Sequence, residues 1–249
     1  MKKTAIVTGA SNGLGKAIAL MLAKEGYDIL VNYYSDEASA NKVADEIRSN
    51  NVDAACVKAD VGKMEGVQAI FDAAMAAFGR VDVLVNNAGV FFDGMLFDRE
   101  VAEFDKTMDV ILRGTFFLTK LVGAQMKEQN IQGRIINISS ALSQDFADMP
   151  IDYCVAKAGL NMMTKAIARE LGPFGITCNA VLPSTIPTKI NRILFDDPVM
   201  AKKLKDSTAL KALGEPEDIS QAVKYFVGEH SQYTTGAILS VDGGYSSKI

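Results

Sequence analysis

The chain has 249 residues, 49% of them hydrophobic and 22% charged, with a formal net charge of −4. That length supports a sizeable buried core, and the composition excludes a disordered or collagen-like chain. The negative balance, with no Lys/Arg stripe to override it, excludes a nucleic-acid partner.

Short β-branched runs alternate with longer amphipathic stretches. Thr4–Thr8 reads as a buried strand, and about Leu14 to Glu25 as a helix with Ile18, Met21 and Leu22 inward. Asp28–Tyr33 is the next strand, followed by a helix that turns Ala40, Val43, Ala44 and Ile47 inward. Val52–Val57, Val81–Val85, Arg134–Ile138, Ile176–Leu182 and Ala237–Val241 read as further strands. Helices are predicted at Val67–Phe78, Glu103–Glu128, Val155–Glu170 and Asp218–Val227, with a helical excursion over Thr188–Lys205. Strands alternating with helices of this length predict βαβ units, hence an α/β fold with a doubly wound parallel sheet of about seven strands. No linker or composition break divides the chain, so residues 1–249 read as one domain with a lid at about 188–210.

Cys56, Cys154 and Cys178 lie far apart with no CxxC pair, which points to a reducing, cytoplasmic setting. One histidine, His230, leaves no His-rich metal site and no His-based triad. The apolar run after Met1-Lys2-Lys3 is too short for a signal peptide, and none approaches the roughly 18 residues of a membrane span. Eleven methionines, Met162 and Met163 among them, read as core filler.

The first strand runs into Thr8-Gly9-Ala10-Ser11-Asn12-Gly13-Leu14-Gly15 and then a helix. Glycines there let a backbone approach a pyrophosphate at a helix N-terminus, although they fit an ordinary turn equally well. Tyr153 and Lys157 lie one helical turn apart on one face. An ammonium beside a phenol favours the phenolate, so Lys157 is expected to lower the Tyr153 pKa from about 10. So tuned, the tyrosine exchanges a proton with a carbonyl or an alcohol. Such pairs are common on surfaces, and the pair alone decides little. Ser140 follows a central strand, where open α/β sheets place ligands.

Taken together, these residues resemble the short-chain dehydrogenase/reductase family. The resemblance spans essentially the whole chain. It includes Thr8-Gly9 to Gly15, Asp60-Val61, Asn86-Asn87-Ala88-Gly89, Ser139-Ser140 and Tyr153-Cys154-Val155-Ala156-Lys157. Gly214 to Asp218, Thr235-Gly236 and Val241 to Gly244 continue it. It implies a Rossmann-type sheet and hydride transfer between a nicotinamide and a small carbonyl or alcohol substrate. By resemblance, Gly9, Ser11, Asn12, Gly13, Leu14 and Gly15 cradle the pyrophosphate, and Asp60 and Val61 meet the adenine. Asn87, Ala88 and Gly89 line the adenosine side, and Pro183, Ile186 and Thr188 hold the nicotinamide amide. Tyr153 becomes the general acid/base and Ser140 orients the substrate oxygen. Lys157 tunes Tyr153 and binds the ribose. The resemblance also implies a homotetramer.

Two positions depart from the family pattern. Ile111 stands where the family carries an Asn in its proton relay, and Ser184 replaces a Gly after Pro183. Ile111 is the one feature favouring a rival reading, a catalytically weakened dinucleotide-binding sensor. The cofactor-discriminating positions are Tyr33, Tyr34 and Ser35. Asp36 and Glu37 lie near the distance of an NAD-type carboxylate, but Asp36 reads as the cap of the following helix. With no acid at Tyr33 and no arginine at Asn12 or Tyr34, neutral donors such as Ser35 are left for a 2′-phosphate. The balance leans slightly to NADP over NAD.

Phe91 and Phe92 form one expected wall of the substrate cleft, and Leu142, Gln144 and Phe146 another. Ile190, Ile193, Leu194 and Phe195 supply the lid. This lining suits a substrate larger than a short-chain alcohol, whether sugar, polyol, steroid or 3-oxoacyl group. Lys189, Arg192, Lys202, Lys203 and Lys205 offer a basic face to an acidic carrier protein.

Overall fold

A computed structural model of the chain describes residues 2–144, 150–184, 186–188 and 195–247. Its first half runs β1 (Thr4–Val7), α1 (Gly13–Lys24), β2 (Asp28–Tyr33), α2 (Glu37–Arg48), β3 (Ala54–Lys58), α3 (Met64–Phe78) and β4 (Val83–Asn86). There follow α4 (Val101–Met108), α5 (Thr115–Glu128), β5 (Arg134–Ile138), α6 (Ile151–Leu171) and β6 (Thr177–Pro183). α7 (Pro198–Asp206), α8 (Pro216–Val227) and β7 (Ile238–Val241) complete it.

The strands form one parallel sheet in the order β3-β2-β1-β4-β5-β6-β7. Alternation along each strand divides the core between its two faces. Ala5, Val7, Ile29, Val31, Val83 and Val85 pack with α1, α2 and α8 residues, whereas Ile6, Leu30 and Leu84 pack with α3 and α5 residues. Both faces are covered. This is why the central strands read as near-continuous apolar runs. The edge strand β3 is only half-buried and begins two residues later than its pattern suggests. No helix among the described residues is long and apolar enough to cross a membrane.

The helical excursion expected from Thr188 does not begin there, since Thr188 lies outside any helix, and one further predicted element needs correction. The helix expected over Glu103–Glu128 is α4 and α5 joined by a six-residue π-helical segment, Asp109–Gly114. A π turn widens the helix without breaking the apolar pattern, so periodicity cannot reveal it. There the chain nearly touches the β3–α3 turn. A Cβ on Gly114 would lie 2.0 Å from the Val61 carbonyl oxygen.

Candidate active site

Strand order reverses between β1 and β4, which opens a crevice at their carboxyl ends. Side-chain hydrogen bonds shape it. The Gly9 N–H donates to Asn32 Oδ1 (3.2 Å), and Asn32 Nδ2 donates to the Ala59 carbonyl (3.1 Å). Thr8 Oγ1 accepts from the N–H groups of Asn87 and Ala88, both at 2.9 Å. Asn87 Nδ2 returns bonds to the carbonyls of Thr8 (2.8 Å) and Gly9 (3.1 Å). α1 begins so close to this turn that a Cβ on Gly15 would lie 2.3 Å from the Gly9 carbonyl oxygen. Asn12, with its amide on Ser11 Oγ (3.2 Å), precedes the first helical residue, so Ser11 to Leu14 surround an open helix N-terminus. The 186–188 segment crosses nearby, with Thr188 Cγ2 3.4 Å from where a Gly13 Cβ would stand. Pro183 ends β6, and Ile186 is buried. A glycine-lined turn, a helix N-terminus and a switch point together fit the diphosphate of a dinucleotide.

Tyr33 is buried at the end of β2, whereas Tyr34 and Ser35 are exposed. Asp36 caps α2 by accepting from the Ser39 N–H (3.1 Å), as expected. Sequence reading missed Lys106. Its Nζ lies 2.5 Å from Asp60 Oδ2 and 5.3 Å from the Tyr34 ring centroid. The two chain regions meet only in the fold, and no local pattern announces the pair. Burial raises the Asp60 pKa, but the Lys106 ammonium and the Gly62 N–H together hold it below the usual carboxylate range. Beside the neutral donors expected at this end, the fold thus adds an ammonium, held in an ion pair with Asp60.

Ser140 lies just beyond β5, and its Oγ accepts from the Leu142 N–H (3.2 Å). α6 starts earlier than predicted, which places Tyr153 in its first turn, facing Ser140. Lys157 is buried. Its Nζ donates to the Ile138 carbonyl (2.7 Å) and lies 5.7 Å from the Tyr153 ring centroid. Ser139 Oγ anchors the same helix on the Lys157 carbonyl (3.1 Å). Three residues separated in sequence thus meet at one strand end.

The pKa expectation for Tyr153 is not met. Burial pushes its phenol up to about 12, against the Ser140 hydrogen bond, and pushes Lys157 down to about 8. Both charged forms lose solvation in the same pocket, and the ammonium is turned toward a backbone carbonyl.

Ile111 also differs from its reading. It is 1% exposed and packs with Ala156, Leu160, Leu112 and the Tyr153 ring. Among the described residues, buried side-chain atoms without partners belong to Asn86, Arg134, Asn161 and Thr177, none in that cluster. Asn161 was likewise missed. It lies two helical turns beyond Tyr153 and donates to Ser143 Oγ (2.7 Å) beside Ser140. Met162 is not core filler, being 66% exposed, while Met163 packs against the Ile111 cluster.

On the substrate side, Phe91 meets Tyr153 edge to face, with ring centroids 5.4 Å apart. Leu142 is half-buried, and Gln144 is exposed. Phe146, Lys189, Ile190, Arg192, Ile193 and Leu194 lie outside the described residues.

A family model described as enoyl-(acyl carrier protein) reductase matches residues 9–246. Glucose 1-dehydrogenase 2 of Bacillus subtilis is 40% identical over 97% of this chain and 94% of its own length. The chain belongs to the short-chain dehydrogenase/reductase family. A further member, the 3-oxoacyl-(acyl-carrier-protein) reductase FabG of Staphylococcus epidermidis, is 38% identical over 98% of this chain and 99% of its own. A blue fluorescent protein from a metagenomic library, solved in complex with NADPH, superposes with a TM-score of 0.92. It is 35% identical, with 98% of each chain covered. As a short-chain dehydrogenase/reductase, the protein is an NAD(P)-dependent oxidoreductase. The weakened-sensor alternative is not supported: the Bacillus and Staphylococcus relatives are a dehydrogenase and a reductase, and Ile111 is a core residue.

Proposed function

We propose that the protein reduces a ketone to a secondary alcohol, or runs the reverse oxidation, and prefers NADP(H) to NAD(H). The observation that carries this reading is the meeting of Ser140, Tyr153 and Lys157 at the carboxyl end of β5, beside the glycine-lined crevice. When bound, the nicotinamide supplies or takes the hydride. Tyr153 Oη donates the proton that neutralises the carbonyl oxygen in reduction, and accepts it back in oxidation. Ser140 Oγ accepts from Leu142, and the proton it turns toward Tyr153 is the one that orients the substrate oxygen. Lys157 stands beneath Tyr153 and faces Gly89, where it serves the ribose and returns the proton. Gly9, Ser11 to Gly15, Asn87 and Ala88 hold the dinucleotide body. Asp60, Val61, Tyr33, Tyr34 and Ser35 line its adenosine end, and Pro183, Ile186 and Thr188 its nicotinamide end.

The preference for NADP rests on Lys106, whose ammonium stands over the Tyr34 ring. Residues 1–249 serve as one domain with a substrate lid at about 188–210, of which 189–194 lie outside the described residues. Three free cysteines suit the cytoplasm. Exposed Val101, Phe104, Phe116 and Val155 on α4, α5 and α6 suit assembly as a homotetramer, which sedimentation would read.

Replacing Tyr153 tests the assignment directly. Tyr153→Phe keeps the ring against Phe91 and removes the proton donor. Turnover of a ketone panel, followed by cofactor fluorescence, is expected to fall about 10²–10⁴-fold while NADPH affinity holds. Activity within about tenfold of the parent would refute the role.

A further inference from the structure

The segment from Val90 to Asp98 stands on the substrate side, and its apolar side chains anchor it only in part: Val90 and Phe92 are half-buried and Phe91 meets Tyr153. Phe91, Met95 and Leu96 are exposed, and Phe97 is 98% exposed. Its backbone hydrogen bonds also stay local, with the Gly94 N–H on Asp93 and the Met95 N–H on Asp98. What ties it down is Arg99. That side chain is only 9% exposed, and its guanidinium donates to three acceptors and pairs with a fourth group, Asp152. Nη2 donates to the carbonyls of Phe92 (2.9 Å) and Gly94 (3.1 Å), Nη1 to Glu103 (2.9 Å), and Nε lies 3.1 Å from Asp152 Oδ1. Asp152, 4% exposed, precedes Tyr153 in the first turn of α6, and its other oxygen accepts from Thr107 Oγ1 (2.9 Å). One planar fork thus joins the wall, α4 and the start of the Tyr153 helix.

We propose that Arg99 is a positioning residue that locks segment 90–98 to Asp152 and so sets the wall against which a substrate's bulky group packs. The inference rests on the reading of Tyr153 as acid/base, because Phe91 on that wall lies edge-on to the Tyr153 ring. Arginine is suited to this and lysine is not. Two backbone carbonyls and two carboxylates must be met at fixed angles, which one rotating ammonium cannot do.

Two variants test it. Arg99→Lys keeps the buried charge and loses the fork, and Arg99→Gln combined with Asp152→Asn removes both charges together. The first readout is amide hydrogen exchange, which needs no substrate. In both variants, exchange over 90–98 should rise about tenfold while β1, β4 and β5 stay protected. The second readout compares two diketones sharing one reacting carbonyl, 2,3-butanedione and 1-phenyl-1,2-propanedione. The KM of the phenyl compound should rise about tenfold, that of butanedione less than about threefold, and kcat for both should hold within about threefold. Unchanged exchange over 90–98 would overturn the proposal. Equal losses on both diketones would overturn it too, since they would mark a purely structural ion pair. If the parent protein turned over neither diketone, the functional reading would fail for this substrate class, and exchange alone would decide the role of Arg99.

Discussion

Lys157 donates to the Ile138 carbonyl from a fully buried position, and burial brings its pKa to about 8. A lysine in the unfolded chain titrates near about 10.4. Between these values the unfolded state binds more protons, so stability rises with pH through that window; below it the cost of burying the charge is present in full. Lys157→Met removes the titration. From about pH 7.5 to 9.5 the parent should therefore gain about 1–2 kcal/mol over the variant in denaturant unfolding, with Tyr153 still protonated throughout. A parallel pH dependence in the two proteins would contradict the buried position of the ammonium. At Ile111, the surroundings are apolar. Ile111→Asn would bury an amide among Ala156, Leu160 and the Tyr153 ring, at a cost of about 1–3 kcal/mol. Turnover should fall with stability. A faster variant of unchanged stability would mean that a polar relay faces this position after all.

Among the elements, the π-helical segment between α4 and α5 decides most. Lys106 of α4, just before it, pairs with Asp60, and Ile111 within it packs with α6. Gly114 permits the contact with the β3–α3 turn, because any Cβ there would overlap the Val61 carbonyl. A backbone carbonyl yields less than a side chain, so Gly114→Ala should cost at least the ~1–3 kcal/mol usual for overpacking. Asp60 and Val61, proposed to line the adenosine end, would be displaced. Thermal unfolding and NADPH titration should therefore worsen together, and an unchanged melting temperature would rule out so close an approach.

Across the whole molecule, the proposed preference for NADP(H) turns on the Lys106 charge beside Tyr34. Lys106→Gln should weaken NADPH binding about tenfold, equivalent to about 1.4 kcal/mol, and NADH binding much less. Added salt should narrow the gap in the parent, since the ammonium is partly exposed. Equal loss for both dinucleotides would instead assign Lys106 to holding Asp60 in place.

Much of this protein is legible in its sequence, because period-two and period-3.6 apolar patterns answer directly to burial. The βαβ rhythm, both covered sheet faces and the Asp36 cap follow from local spacing. So does the shared face of Tyr153 and Lys157, since helical geometry fixes neighbours one turn apart. Meetings across long stretches of chain had no such signal. Lys106 on Asp60, Arg99 on Asp152 and Asn161 on Ser143 depend on how α4 and α6 lie against the sheet. The sign of the Tyr153 shift belongs with them. Spacing places the ammonium beside the phenol, but only burial, a property of the packed whole, decides which influence on the proton is larger.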